Sequence, residues 1–199
     1  MKITKDNIEL IETRTHHLPN IELRKENNKM TISGYGIVFD SLSEDLGNFK
    51  EIIHKRALDE VDLTDVMLLG QHDHSKVLGS TKGNTMSLQV TDKGLYFTAE
   101  LPDTTDGRDF YTLLERGDLD KCSFGFTTKE ESWNIKTNPQ TRTVTKIGKL
   151  DEISIVNRPA YKSSSVTLRT AEKCKDLKNC MTPKPNPLLE QAKAILEQV

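Results

Sequence analysis

The chain has 199 residues, enough for one substantial core plus a tail. Its 28 basic and 30 acidic residues leave a formal net charge of −2, which gives no electrostatic reason to expect nucleic acid or an anionic membrane as a partner. No stretch approaches the roughly 18 apolar residues of a membrane span, and "MKITKDNIELIETRTHH" is too polar for a secretory signal, so a cytosolic protein is expected.

Residues 1–19 show no firm pattern. "IELRKENNKMTISGYGIVF" predicts two strands around a turn at Asn27 and Asn28, with Gly34 and Gly36 marking a bulge or a close backbone approach. A polar loop follows, then "HKRALDEV" as a short helix and "DVMLLGQHDH" as a buried strand running into a loop. Met86, Leu88 and Val90 alternate, Asp92-Lys93-Gly94 supplies a turn, and Leu95, Phe97, Ala99 and Leu101 alternate again, which predicts a second hairpin. "TTDGRDFYTLLERGDL" is the clearest helix: Thr104 or Thr105 caps its start, Phe110, Leu113 and Leu114 form its apolar stripe, and Gly117 ends it. "KCSFGFTTKE" is a strand, "SWNIKTNPQTRTVTKIG" a third hairpin, "KLDEISIVNRPAY" a further strand, and "SSSVTLRT" extends it or adds one more.

From about residue 170 the composition changes. Three of the seven prolines fall between Pro183 and Pro187, which predicts a linker. A short amphipathic helix carrying Leu188, Leu189, Ala192, Ile195 and Leu196 follows it, either packed on its own domain or seeking a partner. The expected organisation is an N-terminal segment (1–19), one β-rich domain (20–170), and a linker with a terminal helix (171–199). The three cysteines, Cys122, Cys174 and Cys180, fit neither a disulfide nor a zinc framework and are expected to be reduced.

Several residues stand out chemically. Side chains alternate along a strand, so Cys122, Phe124 and Phe126 share one face and Ser123, Gly125 and Thr127 the other. The aromatics should enter the core. Ser123 then faces a gap left by Gly125, where an extended substrate could lie over a nucleophile; the bland reading is a strand serine bonded to its neighbours. In "GQHDHSKVLGS" an extended backbone would point His72 and His74 the same way. They fit a general base for Ser123, or a metal pair completed by His54 or a carboxylate. In "KLDEISIVNRPAY" Asp151 aligns with Ile153 and Ile155, and Glu152 with Ser154 and Val156. A carboxylate in so apolar a strand either points to water from an edge or finds a partner such as an imidazole N–H. Arg158 is a candidate for stabilising an oxyanion, or else a solubilising surface arginine.

An ordered series of segments carries a resemblance: "GYGIVFD" with "FKEIIHKRAL", then "VMLLGQHDHSKVLGS", then "DKGLYFTAELPDTTDGRDFYTLLERGDLDKCSFGF", then "LDEISIVNRPAY". Over about residues 20–170 the chain resembles the prohead (procapsid maturation) proteases of the HK97 phage type. The resemblance implies a mainly β fold with a few helices, similar to the herpesvirus maturation protease: a closed β-barrel of about seven strands flanked by helices. It implies a serine protease in which the family's "H-D" histidine falls on His72, its "S-F-G-F" serine on Ser123 and its "L-x-E-[IV]-S" acid on Glu152. Herpesvirus enzymes use a second histidine as third member, which keeps His74 and His54 as alternatives. No metal or cofactor is implied. The implied partner is the major capsid protein with its scaffolding segment, with self-cleavage and self-association in addition, inside the prohead in the host cytoplasm. Two rivals remain. A structural β-barrel protein of the virion would have Ser123 and His72 out of hydrogen-bonding reach, and a zinc hydrolase built on His72 and His74 would bind metal.

Overall fold

The computed structural model describes residues 11–17, 21–27 and 29–157. Its strands are β1 (Glu12–His17), β2 (Glu22–Glu26), β3 (Lys29–Val38), β4 (Phe49–Ile53), β5 (Met67–Gly70), β6 (Asp73–Ser80), β7 (Met86–Val90), β8 (Gly94–Leu101), β9 (Lys121–Asn134) and β10 (Gln140–Val156). Helix α1 (Thr105–Glu115) lies between β8 and β9. The hairpins expected around Asn27, around Asp92–Gly94 and within "SWNIKTNPQTRTVTKIG" all form, as β2–β3, β7–β8 and β9–β10, the last turning through residues 135–139. Thr104 is the helix cap, its hydroxyl accepting the Gly107 N–H, and Gly117 takes the left-handed conformation (φ 77°) just past the end. The Gly36 bulge also appears, as a register shift between Tyr35 and Ile37. A Cβ on Gly36 would come within 2.7 Å of Ile153 Cδ1, so the missing side chain is what lets the two sheets approach there.

The strands form two open sheets, which corrects the expectation of a closed barrel. One sheet runs β1-β9-β10-β5-β6 with β4 also paired to β10; the other runs β2-β3-β8-β7. No described strand pairs from one sheet to the other, and β1, β6, β2 and β7 are edges. The apolar faces are buried by stacking, not by closure: Ile32, Ile37, Leu95 and Phe97 of the second sheet join Phe124, Phe126, Leu150 and Ile153 of the first in one core. Fully burying side chains of this size contributes roughly 1.5–3 kcal/mol each. Among the described residues α1 is also the single helix. The short helix expected at "HKRALDEV" is a run of turns, in which His54 O accepts Ala57 N–H and Arg56 O accepts Asp59 N–H. Ala57 and Leu58 enter the core from these turns, and Ala57 O accepts Ile147 N–H of β10. Tertiary packing therefore overrides helical propensity.

The "KLDEISIV" strand is the second half of β10, a seventeen-residue strand that also includes the third hairpin's return. Its first half carries β4 in parallel and its second half carries β5 in parallel. At the far end of the β1–β9–β10 region lies a buried charge cluster. Arg14 pairs with Glu12 and Glu51, each at 2.6 Å, and Arg142 contacts Glu12 at 2.6 Å, Glu51 at 2.7 Å and Glu131 at 2.6 Å. Glu12 also accepts from the Thr128 hydroxyl at 2.6 Å. The cluster fixes β1 against β9 and so sets the register that places Thr15 opposite Ser123.

"SSSVTLRT", the expected linker and terminal helix, Cys174, Cys180 and Arg158 lie outside the described residues.

Candidate active site

The alternation of "KCSFGF" holds. Cys122, Phe124 and Phe126 lie in the core, and Ser123 and Gly125 point to the other face of the first sheet. On that face the register puts Thr15, Ser123, Ser154 and Leu69 in one row across β1, β9, β10 and β5. In the next row Gly125 sits opposite Glu152.

Glu152 reaches this face through an irregularity in β10. Leu150 pairs with Phe126 and Glu152 with Gly125, so two residues of β10 advance where β9 advances one. Without that shift, Leu150 and Glu152 would share a face. With it, Leu150 enters the core and Glu152 turns to the Ser123 side. Asp151, at the shift, is tied to Lys149 at the surface.

The expected gap at Gly125 is real but already used. A Cβ there would lie 2.8 Å from Glu152 Oε1, so the carboxylate overlies the glycine. The same Oε1 is 2.8 Å from His72 Nδ1. The imidazole is thereby tied to the carboxylate that overlies Gly125, two residues along β9 from Ser123. Glu152 is buried, its side chain 6% exposed, and that of His72 is 23% exposed. The carboxylate has a third contact: Ser154 Oγ donates to Oε2.

His72 is held from two sides. Gln71 and His72 both have left-handed backbones (φ 58° and 61°), a conformation disfavoured for residues with a Cβ. Gln71 N–H donates to Ile155 O at 2.9 Å and His72 N–H to Ser154 Oγ at 3.2 Å, which fixes the turn on β10. Behind it, Phe110 of α1 packs so closely on Gly70 that a Cβ would meet its ring at 2.3 Å.

The turn also breaks the expected H-x-H parity. The backbone is not extended through residues 71–72, so His72 goes to Glu152 while His74 is exposed on the edge strand β6. His54 lies beside Val144, whose carbonyl accepts its N–H, and its Nδ1 accepts the Arg56 N–H. Eight residues of β10 separate Val144 from Glu152, roughly 25 Å of strand. Neither histidine joins the cluster, and among the described residues no group of three His, Cys, Asp or Glu side chains is arranged to hold a metal.

Ser123 is fully buried, and its Oγ accepts from Thr15 Oγ1 at 3.2 Å. It makes no hydrogen bond with His72, whose Nε2 is buried without a partner. The structure thus joins His72 to Glu152, puts Ser123 on the same face, and leaves the serine's hydroxyl on the β1 side. Next to Ser123, burial, with the Glu152 charge, pushes the Cys122 thiol far above its ordinary pKa range. The sequence reading missed Thr15 and Ser154. Ser154 shares parity with Glu152 in "DEISIV", which was a usable signal; Thr15 gave none.

A family model for caudovirus prohead serine proteases matches residues 19–179. Among solved structures the chain is similar to the capsid assembly protease of bacteriophage T4. The two are 12% identical with a TM-score of 0.52, over 73% of this chain and 96% of that one. At that identity the likeness speaks for the fold. No curated protein matches. The segment order seen in the sequence agrees with the family match, which spans most of the chain, and the chain belongs to the caudovirus prohead serine proteases, the proteases of phage head maturation.

Proposed function

We propose that the chain is a serine endopeptidase in which Ser123 is the nucleophile, His72 the general base and Glu152 the residue that orients the base. The observation that carries the reading is the His72 Nδ1–Glu152 Oε1 hydrogen bond at 2.8 Å on the Ser123 face. With Nδ1–H donating to the carboxylate, the lone pair of Nε2 is free to take a proton. Rotation about the Ser123 Cα–Cβ bond carries Oγ from Thr15 on one flank toward the imidazole on the other. Ser123 Oγ then attacks the peptide carbonyl as His72 takes its proton. His72 gives that proton to the leaving amine, and water hydrolyses the acyl-enzyme by the same route.

The missing Ser123–His72 hydrogen bond favours the rival, a structural relative without chemistry. Against it stand the strained turn at Gln71–His72 and the buried, unpartnered Nε2, two costs that a purely structural protein has no reason to keep. Catalytic hydrogen bonds are commonly loose without substrate.

The substrate we propose is the scaffolding segment of the major capsid protein, cut inside the assembling prohead in the host cytoplasm. The chain itself is a second substrate, in the proline-rich stretch "CMTPKPNP" (180–187). The family supports the first and the linker composition the second. Co-expression with the capsid protein tests both, by intact mass. Wild type should shorten the capsid protein or itself, and Ser123→Ala should leave every chain full length. Equal cleavage by both would remove Ser123 from the mechanism.

A further inference from the structure

We propose that Ser154 is a positioning residue of the catalytic site, holding the acid and the base in one frame; this rests on the reading of Ser123, His72 and Glu152 given above. Ser154 is fully buried and stands in the row between Ser123 and Leu69. Its hydroxyl donates to Glu152 Oε2 and, through a lone pair, accepts the main-chain N–H of His72 at 3.2 Å. One hydroxyl therefore serves both partners of the 2.8 Å acid–base contact, with donor and acceptor used in opposite directions.

The geometry explains why a hydroxyl is needed there. Glu152 Oε1 is committed to His72, so Oε2 requires its own donor in a buried site, and a carboxylate oxygen left bare there would be costly. His72 N–H belongs to a left-handed turn and has no strand partner, so it requires an acceptor. An alanine at 154 would leave both groups unpaired. The carboxylate could then swing about its side-chain torsions and the turn could relax, and the imidazole would lose its hold on Glu152. Ser154 touches no reacting atom in this scheme; it acts through Glu152 and His72, as supporting residues do around other catalytic groups.

The test measures the rate at which full-length enzyme shortens co-assembled capsid protein, by intact mass against time. It compares wild type, Ser154→Ala, Ser154→Thr, Glu152→Gln and the Ser154→Ala/Glu152→Gln pair. Thermal unfolding is recorded for each. We expect Ser154→Ala to slow cleavage about 10–100-fold with a cooperative unfolding transition retained. Ser154→Thr, which keeps the hydroxyl, should recover most of the rate. The double variant should be no slower than Glu152→Gln alone, because the two side chains act through one contact. A wild-type rate in Ser154→Ala would overturn the proposal, as would losses that multiply in the double variant. Complete loss in Ser154→Ala with folding intact would also overturn it, as expected of a nucleophile and not of a positioning residue. Failure of the underlying reading looks different: Ser123→Ala would then cleave like wild type.

Discussion

Glu12→Gln probes the buried charge cluster that seats β1 beside Ser123. Burial alone would raise the Glu12 pKa, but the hydrogen bond from Arg142 and the charges of Arg14 and Arg142 outweigh it and bring it from 4.5 down to about 2. A carboxylate whose folded pKa lies below its unfolded value adds stability that is fully present above the unfolded pKa. That stability is lost as pH falls through the window between 4.5 and about 2. A fall from 4.5 to about 2 corresponds to about 3 kcal/mol at pH 7. At pH 3, where the folded carboxylate is still mostly ionised and the unfolded one is protonated, roughly half of it remains. Glutamine keeps the shape but not the charge, so the stability gap between wild type and variant should shrink by roughly half between pH 7 and pH 3. Urea unfolding of both proteins at pH 7, 5, 4 and 3 reads the gap directly. A gap of the same size at every pH would refute the reasoning, since the loss would then come from packing and not from charge.

Further outcomes follow from single contacts. Gly125→Ala puts a Cβ 2.8 Å from Glu152 Oε1, so the carboxylate must move off His72; capsid cleavage should fall at least tenfold while thermal unfolding changes little. Thr104→Ala removes the hydroxyl that caps α1 and should cost about 1 kcal/mol in urea unfolding, with cleavage unchanged. Cys122, buried beside Ser123 with its thiol pushed up in pKa, should resist N-ethylmaleimide in the folded protein and react after unfolding, as peptide mapping would show.

Local features were legible in the sequence where one short stretch decides them. The turn at Asn27, the Asp92–Gly94 hairpin, the Thr104 cap and Gly117 each depend on a few adjacent residues, and each took its expected form. Alternation placed Phe124 and Phe126 in the core for the same reason. What depended on distant pairing was not legible. Whether strands close a barrel is set by which edges meet, and here the sheets stack and stay open. The shift between Leu150 and Glu152 exists because β10 pairs with β9, so simple parity along "DEISIV" gave no sign of it. Parity also failed at His72 and His74, because two left-handed residues interrupt the strand. The pairing of Arg142 with Glu12 spans 130 residues and leaves no local trace. The ordered segments, by contrast, pointed to the family that the match over residues 19–179 shows.

The central claim is that Ser123 is a nucleophile activated by His72. Its most direct test treats capsid-associated, full-length enzyme with diisopropyl fluorophosphate, which loses fluoride to an activated serine, and maps the phosphoryl ester by peptide mass. The account predicts the ester on Ser123, reduced at least a thousandfold in rate by His72→Ala. An ester on another serine, or equal labelling of Ser123 in His72→Ala, would contradict it.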